Sequence, residues 1–144
     1  MDLNKFDKSL TDYISVITPT ETQLSRIDDA LTSVATVMLS AFPDADIYPQ
    51  GSFATETVTK PLTNTQGGGN AGEYDVDIVV ERSTWPEPGA SLDEVHTALE
   101  EHGVYGNMSL ENSKTSCVRR NYADEDTGVR FHVDLVPTLN KDNE

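Results

Sequence analysis

Cysteine is nearly absent from this chain of 144 residues: Cys117 stands alone and can close no internal disulfide. That agrees with a reducing compartment. Basic residues are also scarce, with 10 Lys plus Arg against 25 Asp plus Glu and a net charge of −15. A chain this acidic repels nucleic-acid backbones unless a metal or a local basic patch intervenes, which argues against broad nucleic-acid binding. Any run of about 18 apolar residues is missing too. The first residues, MDLNKFDKSL, have neither a basic start nor an apolar stretch, so no membrane span and a cytoplasmic location are expected. What remains is one ordinary domain's length with 36% hydrophobic residues, enough for one core. The acidity fits either a salt-adapted organism, whose proteins keep a hydrated acidic surface, or an ordinary acidic bacterial protein.

Periodicity gives the elements. Leu3, Phe6, Leu10, Tyr13, Ile14 and Ile17 recur at helical spacing and predict an amphipathic helix. A second helix follows, with Thr20 as N-cap, Gln23 completing a capping box, and Leu24, Ile27, Leu31, Val34, Met38 and Phe42 as its buried stripe until Pro43 stops it. ADIYPQGS reads as a short strand entering a turn, and YDVDIVVE as a strand with alternating faces. The intervening TNTQGGGNAGE has too little apolar surface to order itself and reads as a mobile hairpin loop. SLDEVHTALEEHG predicts a third helix, capped by Ser91 with Glu94 and stopped at Gly103. TSCVRRNYA and VRFHVDLVP read as two more strands, paired through the acidic turn DEDTG. With no internal repeat, this order predicts an α+β fold, a mixed β-sheet flanked by helices.

The chemistry lies in the strands. Alternation sends Tyr74, Val76, Ile78 and Val80 to the core and leaves Asp75 and Asp77 together on the other face. Two adjacent carboxylates repel unless one is protonated or a cation lies between them, and hard oxygen donors suit Mg²⁺ or Mn²⁺. In RFHVDLVP, Phe131, Val133 and Leu135 form the apolar face, and His132, Asp134 and Val136 the other. If the two strands are neighbours, Asp134 joins the acids. Three acids around two cations would orient a nucleoside triphosphate and activate an attacking hydroxyl, with Asp134 assisting the deprotonation. The Gly51-Ser52 turn suits phosphate: glycine admits close backbone approach, and Ser52 offers a hydroxyl and an N–H.

The order GS at 51–52, DVD at 75–77 and VDLVP around Asp134 resembles the polymerase-β-type nucleotidyltransferase superfamily. QGSFATETVTKPL, YDVDIVV and KTSCVRRNYADEDTGVRFHVDLVPT are most similar to the bacterial CD-NTases, the SMODS group of second-messenger synthases related to cGAS and oligoadenylate synthase. The resemblance covers about 45–140, with 1–42 as a helical lead-in, and implies a nucleotidyltransferase catalytic core spanning 1–144. It further implies a catalytic and metal-holding triad of Asp75, Asp77 and Asp134, two Mg²⁺ (or Mn²⁺) ions, and nucleotide binding by Gly51 and Ser52. NTPs would be joined into cyclic or linear oligonucleotides with release of pyrophosphate, in antiviral defence, with an operon effector responding to the product. Two features depart from the pattern. Glu56 stands where the family often has glycine in GSxxxGT, bringing a carboxylate toward the phosphates. The family also continues past the third aspartate into a helical domain that completes the base pocket, so this chain is expected to be the N-terminal part of a longer protein.

Alternatives remain at this level. A minimal antitoxin-like nucleotidyltransferase that AMPylates a partner protein fits the short chain, although its usual DxD lies much closer to the GS turn. A nucleotide-binding module without turnover fits Glu56. The aspartates alone could be solvent-facing residues of an edge strand. Lys60, Lys114, Arg119, Arg120 and Arg130 could meet triphosphate, or serve as surface charges balancing the acidic turn. His132 reads as a half-buried histidine bonded to a neighbour, His96 and His102 as surface residues, and Trp85 as a packing residue.

Overall fold

The computed structural model describes residues 3–60, 73–86, 90–101, 110–111, 116–124 and 129–140. The glycine-rich loop, Gly103, His102, Lys114 and most of the acidic turn lie outside these residues. Helix α1 spans Leu3–Ile17 and α2 spans Glu21–Ala41. The capping box forms as expected: the Gln23 N–H donates to Thr20 Oγ1 at 3.2 Å, and the Thr20 N–H donates to Gln23 Oε1 at 2.9 Å. Ile27, Val34, Val37 and Met38 carry the buried face of α2, while Leu24 is 40% exposed. On α1, Leu10, Tyr13 and Ile14 of the apolar stripe are exposed and Ile17 is half-buried. Helix α3, Ala90–Glu101, begins before Ser91, which therefore lies within the first turn and is not its cap. Val95 and Leu99 face inward from it.

Five strands form one sheet: β1 Asp46–Gln50, β2 Tyr74–Arg82, β3 Leu110–Glu111, β4 Val118–Asp124 and β5 Val129–Leu139, in the order β1-β2-β5-β4-β3. The sheet is mixed, because β2 and β5 run parallel and the other pairs antiparallel. The two-residue β3 carries no sequence signal of its own. On one face Val76, Ile78, Val80, Val133 and Leu135 pack with the buried residues of α2 and α3 into a single core. Side chains fully removed from water in this way supply the main driving force for folding.

Two side chains expected at the surface are not there. Arg120 is only 1% exposed and holds its guanidinium 5.5 Å from the Tyr122 ring, because its place in β4 directs it to the core face. His96 is half-buried on α3, 3.4 Å from Glu100. Trp85 packs as expected, edge-on to Phe42 at 5.4 Å, and its indole N–H donates to the Thr138 carbonyl. Arg130 remains exposed.

Candidate functional site

Residues opposite one another in a sheet ladder share a face, so register alone assembles the site. Asp77 of β2 lies opposite Asp134 of β5, which lies opposite Arg119 of β4. One step down, Asp75 lies opposite His132, which lies opposite Asn121. The parallel pairing of β2 with β5 thus brings Asp134, far along the chain, to the two acids that β2 already carries, Asp75 and Asp77. In the other direction the face turns apolar at Val79 and Val136, which confines the charged patch to the N-terminal half of β2. Strand alternation already sets His132 on the face of Asp134; its contact with Asp75 and the arrival of Arg119 come with the register.

The charges are tightly engaged. Arg119 grips Asp134 with both arms, Nε donating to Oδ1 at 2.6 Å and Nη2 to Oδ2 at 2.7 Å, and Nη2 also lies 3.8 Å from Asp75 Oδ1. His132 Nε2 is 2.5 Å from Asp75 Oδ1, and its Nδ1 is 3.4 Å from Glu73 Oε2. Burial alone would push the Asp134 carboxyl up. The hydrogen bonds and charge of Arg119, with help from the Cys117 thiol and His132, instead hold it below the usual carboxylate range. Asp77 moves the opposite way: burial first, then the charges of Asp75 and Asp134, push it up, offset only in part by His132 and Arg119.

The donor chemistry suits a cation. Among the described residues, one ligand atom each from Asp75, His132 and Asp134 lie within 4.8 Å of one another. The raised Asp77 adds a carboxylate that a divalent ion would relieve of repulsion. The carboxylate oxygens suit Mg²⁺ and Mn²⁺, whereas the imidazole is a donor better matched to zinc, iron or nickel.

The turn after β1 meets this patch directly. Gln50 pairs with Asp77, so the next residue, Gly51, leaves the sheet beside that carboxylate. Gly51 has φ +72°, and a Cβ built there would come within 3.3 Å of Asp77 Oδ2. Both its backbone conformation and its closeness to the acid favour glycine. Ser52 follows, exposed, and the segment folds back on itself as the Thr57 N–H donates to the Ser52 carbonyl at 2.9 Å and the Thr55 N–H to the Gly51 carbonyl at 3.2 Å. Glu56 takes φ +56°, a left-handed conformation uncommon for a residue with a side chain. Lys60 is half-buried, and its N–H donates to the Ile17 carbonyl.

No protein-family model matches the chain. It is 32% identical over 126 residues to a c-di-GMP synthase of Roseivirga ehrenbergii, an alignment covering 81% of this chain and 30% of that protein. Among solved structures it is similar to the CD-NTase CdnG of Bradyrhizobium diazoefficiens in complex with GTP, with a TM-score of 0.66 and 26% identity over 90% of this chain and 35% of that one. A poly(U) polymerase bound to MgATP superposes with a TM-score of 0.63 at 15% identity, covering 95% of this chain and 38% of the polymerase. The chain spans about a third of the length of these proteins. The mixed sheet, its flanking helices and these superpositions establish a polymerase-β-like nucleotidyltransferase fold. No helix among the described residues is long and apolar enough to cross a membrane.

Proposed function

We propose that this chain is the catalytic core of a metal-dependent nucleotidyltransferase that joins NTPs into cyclic or linear oligonucleotide second messengers, releasing pyrophosphate. The observation that carries the reading is the register that places Asp77 opposite Asp134, with Asp75 one step away and the Gly51 turn beside Asp77. Asp75, Asp77 and Asp134 would hold two Mg²⁺ or Mn²⁺ ions, which when bound supply charge neutralisation at the phosphates and acidify the attacking hydroxyl. Asp134 assists removal of that hydroxyl's proton. Gly51 and Ser52 orient the triphosphate, the first by letting the backbone approach and the second by its hydroxyl and N–H. The lead-in is 1–42 and the core 45–140.

Similarity to a c-di-GMP synthase and to a GTP-bound CD-NTase supports the synthase form of this chemistry and makes GTP the first nucleotide to try. Antiviral defence, a cytoplasmic location and an operon effector that answers to the product belong to the same reading. The test is incubation with labelled GTP and ATP plus Mg²⁺ or Mn²⁺, beside an Asp75→Ala/Asp77→Ala variant. Pyrophosphate and labelled oligonucleotides from the wild type alone are expected. Label appearing only on a partner protein would replace the synthase with an AMPylating enzyme, and binding without pyrophosphate would leave a nucleotide-binding module.

A further inference from the structure

Three carboxylates on adjacent strands need positive charge even before a metal arrives, and one side chain already supplies it. Arg119 stands directly across the ladder from Asp134, donates to both of its oxygens, and reaches Asp75 with the same Nη2. Its guanidinium therefore bridges the two acids whose oxygens would share a divalent ion. A planar fork satisfies a carboxylate bidentately and fixes it in one orientation, so this contact is a strong one. A guanidinium and a divalent ion on the same pair of acids would repel at close range.

We infer that Arg119 is a built-in counter-ion latch, which holds the metal-free site together and must release Asp134 when divalent ions bind. The inference rests on the nucleotidyltransferase reading of this site, since that reading brings the metals to Asp75 and Asp134. Binding of metal and the Arg119 clasp then compete for the same oxygens. The clasp costs metal affinity and in return keeps the acids from pushing the strands apart. Arg119 is in this sense a positioning residue, acting through Asp134.

Titration of the full chain with Mn²⁺, following free ion by electron paramagnetic resonance, separates the possibilities. Arg119→Gln removes the charge and the fork, and should bind Mn²⁺ about tenfold tighter, equivalent to about 1.4 kcal/mol. Arg119→Lys keeps the charge but gives up the fork, and should fall between the two. In the same variants the metal-free melting temperature should drop below that of the wild type, and saturating Mn²⁺ should narrow the gap. A purely structural role would weaken Mn²⁺ binding or leave it unchanged in both variants, which overturns the latch. If Arg119→Gln does not fold, the direction of the change in Arg119→Lys decides. Mn²⁺ binding that is equal in all three proteins removes the latch and leaves the proposed function standing. Failure of every form to bind Mn²⁺ removes both.

Discussion

The two faces of the β2–β5 pair alternate residue by residue along the same strands, yet they are built on opposite rules. On the core face Val76, Val133 and Leu135 are fully buried among α2 and α3, and each gains from leaving water. On the other face Asp75, Asp77 and Asp134 crowd together against their own repulsion. Stability alone would not select that second face. Even neighbouring arginines divide between the two: Arg120 is buried against Tyr122 on the core side, while Arg119 clasps Asp134 on the acidic side. The difference teaches where to look for function, because a fold retains destabilising charge most economically where a ligand repays it.

Asp77→Asn is the sharpest way to separate the faces. The proposed chemistry should fall on the order of 10³-fold or more, the scale seen when a group that stabilises transition-state charge is removed. Stability of the metal-free protein should move the other way. Because burial and its acidic neighbours raise the Asp77 pKa, the favourable state is the protonated one, and stability is lost as pH rises through the folded pKa. Asp134 has the opposite sign: its pKa is lowered, so its contribution is present above the unfolded value and lost as pH falls through the folded one. Asp77→Asn should therefore be more stable than wild type at pH 7 without metal, with the gain vanishing near pH 3, as followed by urea unfolding. A variant that is both inactive and less stable at pH 7 would mean that Asp77 belongs to the packing of the sheet.

Leu135→Ala is the counterpart on the core face. A fully buried leucine replaced by alanine costs about 2–5 kcal/mol, depending on how far the cavity collapses. Chemical unfolding should show that loss, while Mn²⁺ affinity in the fraction that remains folded should stay near wild type. A large loss of metal affinity with little loss of stability would erase the distinction between the faces.

Strand alternation makes both faces legible in the sequence, because a period of two depends only on the chain itself. The Thr20–Gln23 box was legible for the same reason: its partners are three residues apart. The meeting of Asp77 with Asp134 could be stated only as a condition, since pairing of β2 with β5 is decided by the whole sheet. Arg119 was one of several basic residues with no preferred partner until the β4–β5 register set it opposite Asp134. The sequence reads His132 as half-buried and bonded to a neighbour, and its ring lies against Asp75 and Glu73. Its place among the candidate ligands came only with the geometry. On α1 the periodicity was right about the helix and silent about burial, because a stripe reveals amphipathicity and not whether anything covers it.

The smallest effect concerns the turn that borders the acidic face. Read from sequence, Glu56 departs from the glycine of the resembled pattern by adding a negative charge near the phosphates. The backbone adds a second reason, since Glu56 sits at φ +56°, where a side chain costs about 1 kcal/mol or more and glycine does not. Glycine's greater freedom in the unfolded chain offsets part of this, so Glu56→Gly should raise stability by about 1 kcal/mol or less. Glu56→Gln separates the two causes, because it removes the charge and keeps the strained backbone. If charge governs the turn, both variants should tighten binding of a non-hydrolysable NTP analogue equally, and only glycine should raise the melting temperature. Tighter binding in Glu56→Gly alone would show that the turn, not the carboxylate, limits approach of the phosphates to the acidic face. The Gly51 conformation would then be half of a paired requirement that this chain meets at only one of its two positions.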